Sequence, residues 1–547
     1  MNRHGKRETA VNPMVTSALD GFSRRLFFPF LLAAFPALSL AASNAREIAV
    51  TDVFRPVALS LLGAALIYFL FRVLMRDGTR AAFATAWIVL LFFTYGHVYG
   101  FLRSAQVVGE PLGRHRYLIP LFIALAASGL WLAYRKTQQL SQLTPTLNIV
   151  SAILVLVPAL RLTANALLEA SNDRALAAQP RQALILTSPE SAQLPDIYYI
   201  ILDGYGRNDI LLETYGYDNS GFLHELQSMG FYIANESLSN YSYTILSIAS
   251  SLNYSYLQDL GVELSPGQIG SDWAKLAPLI KNSQIRRDLA SLGYSMIAFE
   301  TGYRPTSVTD ADLYLHPSST LRGALRWKAL LATTPFEAML MDATALKTLT
   351  DGGVVLSRLL SPATRVPYER HRQRILFQLE ALKQMPELEG PKFIFAHIVA
   401  PHEPYVFGPN GEQRTPEEVF TLADQEGEGG EGSDRKGYVD QVIFVDGQVV
   451  DVLKTILRES ETPPIIILQA DHGLPVSDVS RAGRMAILNA YYLPKVSEAD
   501  LYADISPVNS FRIVLNGIFG AGLPLLEDEA YFSRSSNLFD MTRIDDQ

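Results

Sequence analysis

The chain has 547 residues, with 46 Lys and Arg against 55 Asp and Glu, a net charge of -9, and no cysteine. That balance gives nucleic-acid binding no electrostatic support, and the missing cysteine excludes disulfides and thiol catalysis. Hydrophobic residues make up 48% of the sequence, and the excess is gathered in the first 170 residues.

Five apolar segments lie there: residues 26–42, 57–75, 81–102, 117–134 and 147–168. Each is near the length of about 20 residues that a helix needs to cross the hydrocarbon core. They predict a transmembrane domain over residues 1–170. The first segment reads as an anchor and not a signal peptide, because it lacks a cleavage site and four spans follow. Arg3, Lys6, Arg7, Arg24, Arg25, Arg76, Arg80, Arg135 and Lys136 flank one side of the spans, against Arg46, Arg55, Arg103, Arg114 and Arg116 on the other. The bias predicts a cytoplasmic N-terminus. With five crossings, everything after residue 170 then lies outside the cytoplasm.

Residues 171–194 read as a polar, partly helical linker. From Asp196 the pattern changes to short apolar strands separated by helical stretches. Predicted strands cover 197–202, 231–234, 294–299, 393–398, 465–469 and 487–492. Predicted helices cover 209–229, 244–252, 274–292, 367–384, 438–459 and 507–519. Strands alternating with helices predict an α/β domain over 195–547, with a mostly parallel central sheet flanked by helices. Residues 317–363, rich in Leu, Ala and Met, read as a helical insertion, either resting on the membrane surface or capping the domain. The acidic, glycine-rich residues 424–437 read as a flexible loop.

In such sheets ligands bind beyond the carboxyl ends of the strands. Asp203 follows the apolar strand 197–202, and Asp471-His472-Gly473 follows 465–469. Two carboxylates, one imidazole and a hydroxylate form an oxygen-rich set suited to Zn²⁺ or Mn²⁺ more than to Ca²⁺. The hydroxyl is supplied by Thr244, at the start of a predicted helix whose free N–H groups favour a bound phosphate; Ser242 and Ser247 compete with it. His402 stands in Pro401-His402-Glu403-Pro404, a proline-bracketed loop that holds an imidazole ready for proton transfer or phosphate binding. His397, inside the preceding strand, reads as a core histidine. Arg304 is a candidate phosphate clamp.

These residues, in this order, resemble the alkaline phosphatase superfamily in its sulfatase-like branch, and most of all the membrane-bound phosphoethanolamine transferases and lipoteichoic acid synthases. The resemblance covers residues 195–540. It implies one divalent metal, Zn or Mn, held by Asp203, Thr244, Asp471 and His472, with Thr244 as nucleophile and His402 in the substrate-binding histidine loop. The chain departs from the pattern in four ways. It lacks the Cys/Ser-x-Pro-x-Arg motif of sulfatases proper. No histidine follows His472, which argues against a second ion. Asp203 stands where those transferases have Glu, and their cysteine pairs are missing.

The expected function is a membrane-anchored, metal-dependent transferase moving a phospho-headgroup from a phospholipid to a cell-envelope glycan or glycolipid, through a phospho-threonine. One alternative is a sulfatase-like hydrolase of phosphodiesters or sulfuric esters. Another is a non-enzymatic envelope protein that binds a ligand.

Overall fold

A computed structural model of the chain describes residues 25–44, 50–178, 194–261, 272–317, 335–350, 355–414 and 434–544, except positions 105, 108, 109, 112, 136, 495 and 536, and with Leu184, Leu186 and Leu422 described singly. The chain divides into two compact units: residues 1–164 with 333–364, and residues 165–332 with 365–547.

The first unit is built from five apolar helices: α1 (Phe28–Ser43), α2 (Val50–Met75), α3 (Gly78–Ser104), α4 (His115–Arg135) and α5 (Thr144–Ala178). Four of them, from α2 onward, are long and apolar enough to cross a membrane. Helix α1 has only 16 residues, about 24 Å at 1.5 Å per residue, so by length alone it falls short of the predicted fifth span. Its packing explains how it is accommodated. Phe30 near its start meets Tyr68 of α2, and Ala33 clusters with Ala64 and Val89. Ala37 and Ala41 near its end cluster with Val53. As α1 advances, its α2 partners run backwards, so the two helices are antiparallel neighbours. Small alanines on its buried face permit this close approach.

The insertion also belongs to this unit. Within it, α11 (Pro335–Asp342) returns to the helical bundle. Phe336 and Leu340 share a buried cluster with Ala37, Ala41, Val53 and Leu162, and Glu337 pairs with Arg55 of α2. The segment is therefore apolar because it packs against apolar helices. Residues 318–334 and 351–354 of the predicted insertion lie outside the described residues. Phe336→Ala should weaken the docking of α11 by about 3 kcal/mol or more. Limited proteolysis in detergent checks this: faster cutting within 335–350 is expected, and an unchanged rate would count against the packing.

The second unit holds a seven-stranded sheet. In chain order its strands are β1 (Ile197–Leu202), β2 (Tyr232–Ile233), β3 (Ser295–Phe299), β4 (Leu313–Leu315), β5 (Lys392–Ile398), β6 (Ile465–Gln469) and β7 (Asn489–Tyr492). The spatial order is β2-β7-β6-β1-β5-β3-β4, and only β7 runs against the others. The central strands β1, β5 and β6 are buried at every position, as the largely apolar strands of a sheet covered on both faces are. Tyr199 and Ile201 face one apolar cluster, and Ile200 and Leu202 face the other.

The structure differs from the predicted elements at several points. The predicted helix over 209–229 is two, α6 (Asn208–Tyr215) and α7 (Ser220–Ser228), because Gly216 caps the first in the left-handed conformation at φ 68°. The predicted 274–292 helix is likewise α9 (Asp272–Lys281) and α10 (Gln284–Ser291), with α8 (Thr244–Asn253) preceding them. Helix α12 (Val355–Lys383) begins earlier than expected. Helix α13 (Arg435–Glu459) takes in part of the predicted 424–437 loop, because the Asp434 carboxylate accepts from the Gly437 N–H and caps it; residues 424–433 lie outside the described residues. Helices α14 (Arg481–Met485) and α15 (Pro507–Phe519) follow, and a C-terminal hairpin, β8 (Tyr531–Arg534) with β9 (Asn537–Arg543), was not expected.

Candidate active site

Strand register builds the site. Ile201 of β1 is paired with His397 of β5 on one side and with Gln469 of β6 on the other. Two residues beyond Ile201 comes Asp203, and two beyond Gln469 comes Asp471. The parallel register therefore delivers both carboxylates to the same sheet edge, on adjacent strand ends.

Asp203, Asp471 and His472 are all buried, at 4%, 1% and 0% exposure. The Asp471 Oδ1 accepts from the Gly204 N–H at 3.1 Å, which leaves Oδ2. The His472 Nδ1–H donates to the Gly473 carbonyl at 3.0 Å, so Nε2 carries the lone pair. That Nε2 lies 3.4 Å from Asp203 Oδ1 and 3.6 Å from Asp471 Oδ2. All three atoms are buried and lack a hydrogen-bond partner. Two carboxylate oxygens and an imidazole lone pair, left bare and converging, are costly in a protein interior unless a cation joins them. The donor set fits one divalent ion, and ligating atoms of Asp203, His402 and His472 also lie within 4.8 Å of one another.

His397 carries more than the core role expected for it. It is fully buried, its Nε2–H donates to Asp203 Oδ2 at 3.1 Å, and its Nδ1 accepts from the Thr306 hydroxyl at 2.8 Å. It holds the rear oxygen of Asp203 and leaves Oδ1 for the ion, the usual outer support of a ligating carboxylate. Burial works to raise the Asp203 pKa, but the neighbouring imidazoles, His402 first and then His397 through its hydrogen bond, lower it to about 2. The carboxylate is thus ionised and ready to ligate.

His402 is 8% exposed, and its backbone N–H donates to the Asp203 carbonyl at 2.9 Å. Its ring lies 5.9 Å from that of His472, centroid to centroid. Gln441 of α13 fixes the loop, donating to the His402 carbonyl at 3.0 Å and accepting from the Val406 N–H at 2.8 Å. A cavity lined by Gly204, His402, Tyr405, Tyr438, His472 and Arg484 opens on these two imidazoles. Gly204 sits at φ 72° between them, where a Cβ would come within 3.6 Å of both side chains. His371 of α12 is also close behind: burial, then the positive Arg374 and His402, lower its pKa to about 3 and keep it neutral.

Thr244 opens α8 and is 7% exposed. It is not among the residues that line the cavity. The loop before it is nevertheless fastened to the segment that carries Asp471 and His472, because the Ser239 hydroxyl donates to the Asp471 carbonyl. Its two competitors are committed elsewhere. The Ser242 hydroxyl donates to the Ser533 carbonyl at 3.2 Å and accepts from the Ser533 N–H at 3.1 Å. Ser247 is 1% exposed and shares a hydrogen bond with Ser239. Arg304 starts a short helical turn (Arg304–Thr306) and is half-buried, also outside the cavity lining.

A further buried acid supports the turn after Asp203. Asp446 of α13 accepts from the Tyr205 hydroxyl at 2.7 Å and from the Tyr217 hydroxyl at 3.3 Å. Burial raises its pKa to about 8, against the lowering effect of both hydroxyls. The fold therefore favours its protonated form. The stability it contributes is complete below the unfolded value near 4 and is lost as pH rises towards about 8. Asp446→Asn, which keeps an acceptor for Tyr205, should flatten that pH dependence and stabilise the protein at pH 8 by on the order of a few kcal/mol. Thermal unfolding of both proteins between pH 5 and 8 checks it; parallel curves would show that Asp446 does not titrate.

Sequence comparison with curated proteins finds no match. Among solved structures, the C-terminal periplasmic domain of EcEptC from Escherichia coli, in complex with Zn, is 11% identical over 65% of this chain and 96% of that one, with a TM-score of 0.40. The integral membrane lipooligosaccharide phosphoethanolamine transferase A from Neisseria meningitidis is 12% identical over 92% of this chain and 95% of its own, with a TM-score of 0.37. The sulfatase family model matches residues 195–505, more than half of the chain, and the match takes in Asp203, Thr244, His402, Asp471, His472 and Arg484. The chain therefore belongs to the sulfatase family, within the alkaline phosphatase superfamily.

Proposed function

We propose that the protein is a membrane-anchored transferase that moves a phospho-headgroup from a phospholipid to a hydroxyl of an envelope glycan or glycolipid. The observation that carries this reading is the convergence of three bare, buried ligand atoms on Asp203, Asp471 and His472. The four long apolar helices keep the enzyme at the bilayer, where a lipid donor resides. By the charge bias of the loops, the catalytic unit lies on the extracytoplasmic side.

Asp203, Asp471 and His472, with the Thr244 hydroxyl, would hold one Zn²⁺ or Mn²⁺. A divalent ion there supplies a Lewis acid that lowers the pKa of a hydroxyl and neutralises phosphoryl charge. Thr244, its hydroxyl proton released to solvent before the cycle begins, attacks the phosphorus of the lipid phosphodiester through the Oγ alkoxide, a new O–P bond forms, and the bond from phosphorus to the diacylglycerol oxygen breaks. His402 gives that oxygen its proton, so diacylglycerol departs and the phospho-headgroup stays on Thr244. An acceptor hydroxyl then loses its proton to His402 and attacks the same phosphorus, and Thr244 Oγ leaves. Thr244 is favoured over Ser242 and Ser247 because their hydroxyls are held in buried hydrogen bonds. Arg304 is retained as a phosphate clamp for the incoming donor.

The reading is tested with the full chain in vesicles of headgroup-labelled phospholipid. Diacylglycerol release with label passing to a hydroxyl-bearing glycolipid is expected. Label appearing only as free headgroup phosphate would show that water is the acceptor and that the protein is a hydrolase.

A further inference from the structure

Arg484 is the largest side chain among the described residues to be almost wholly withdrawn from solvent, at 1% exposure. A buried guanidinium is costly unless its donors are taken up. Here they go to main-chain carbonyls on two segments of the active site. Nε donates to the Ser242 carbonyl at 3.1 Å. Nη1 donates to the Leu474 carbonyl at 3.1 Å and to the Gly473 carbonyl at 3.4 Å. The guanidinium carbon also stands 5.7 Å from the centre of the Tyr243 ring.

The positions of those carbonyls matter. Ser242 and Tyr243 lead directly into Thr244, and Gly473 and Leu474 directly follow His472. The backbone of Arg484 grips the second segment as well, since the Gly473 N–H donates to the Arg484 carbonyl at 2.7 Å. A Cβ on Gly473 would fall 2.5 Å from the Ala486 carbonyl oxygen and 2.9 Å from those of Gly483 and Arg484, so only glycine lets the two strands of chain approach this closely. The Gly473 carbonyl is also the acceptor that orients His472 through Nδ1. One residue thus touches the approach to the nucleophile and the anchor of a metal ligand.

We propose that Arg484 is a positioning residue that fastens the Ser242–Thr244 segment to the His472–Leu474 segment, so that the Thr244 hydroxyl and the His472 Nε2 keep a fixed relative placement. Its consequence for catalysis rests on the transferase reading above; the fastening itself does not. A planar fork can serve carbonyls on two segments at once, whereas the compact ammonium of lysine cannot reproduce that geometry. Outer-shell support of this kind is worth roughly 10–100-fold in metal affinity.

The test compares full-length wild type with Arg484→Lys, Arg484→Met and Arg484→Ala. Zn²⁺ affinity is measured by chelator competition, and amide hydrogen exchange is followed over residues 239–247. Both Lys and Met variants are expected to bind Zn²⁺ about 10–100-fold more weakly and to exchange faster over 239–247. Methylguanidine, but not ethylamine, is expected to restore part of both properties to Arg484→Ala. Wild-type affinity and wild-type exchange in folded Lys and Met variants would overturn the proposal, as would full restoration by lysine. If wild type itself binds no divalent ion, the metal reading fails, and the exchange measurement still decides the fastening. If Arg484→Ala does not fold, Arg484→Lys, which keeps the buried charge, carries the test.

Discussion

Thr244→Ala protein is expected to fold, to bind its divalent ion and to turn over phospholipid at least about 10³-fold more slowly than wild type. The substitution removes one hydroxyl at the N-terminus of α8 and leaves Asp203, Asp471 and His472 in place. A small side chain at the first helical position costs little, since alanine is the best helix former. The expected loss therefore falls on the chemical step and not on stability. Ser242→Ala and Ser247→Ala provide the contrast. Each deletes a hydroxyl that holds structure, through Ser533 and Ser239 respectively, so each is expected to lower the unfolding temperature while retaining turnover. Headgroup release by all three variants, measured beside their unfolding temperatures, separates the roles. Wild-type turnover by Thr244→Ala would remove Thr244 from the mechanism.

The second large effect is expected at Asp203. Asp203→Ala takes away one of the three converging atoms and the partner of His397 Nε2. Zn²⁺ affinity should fall by more than about 100-fold, beyond what loss of an outer-shell partner costs. The loss has a stability signature, because an ion that binds only the folded state stabilises it, by about 2.7 kcal/mol when present at 100 times its dissociation constant. A chelator should therefore lower the unfolding temperature of wild type and leave that of Asp203→Ala unchanged. Equal chelator sensitivity in the two proteins would show that the ion, if bound, sits elsewhere.

The central sheet was legible because its physics is local. Residues 197–202 and 465–468 are unbroken apolar runs, and the strands cover Ile197–Leu202 and Ile465–Gln469. The acids at their ends were legible for the same reason, since an Asp just past a buried strand has few structural uses. What stayed hidden depends on contacts that leave no sequence pattern. Arg484 and Gln441 act on main-chain carbonyls of distant segments, and any residue can offer a carbonyl. Thr244 is preferred in the sequence for its place at a helix start, but Ser242 competes until the C-terminal hairpin, whose short β8 gives no strong period, engages the Ser242 hydroxyl. The insertion at 335–350 could not be placed from its composition alone. An apolar helix suits a membrane surface, a domain cap or a helix bundle, and only the packing of Phe336 among Ala37, Ala41 and Val53 decides for the last. The division of helix 209–229 at Gly216 was readable in principle, because glycine is the usual residue at a left-handed helix end.

The most direct test is mass spectrometry of the full-length protein isolated from its native membrane during turnover. A covalent phospho-headgroup is expected on the peptide containing Thr244, discharged when a hydroxyl acceptor is added and missing from Thr244→Ala. An unmodified Thr244 peptide in wild type that is turning over lipid, or the same added mass on a different residue, would contradict it.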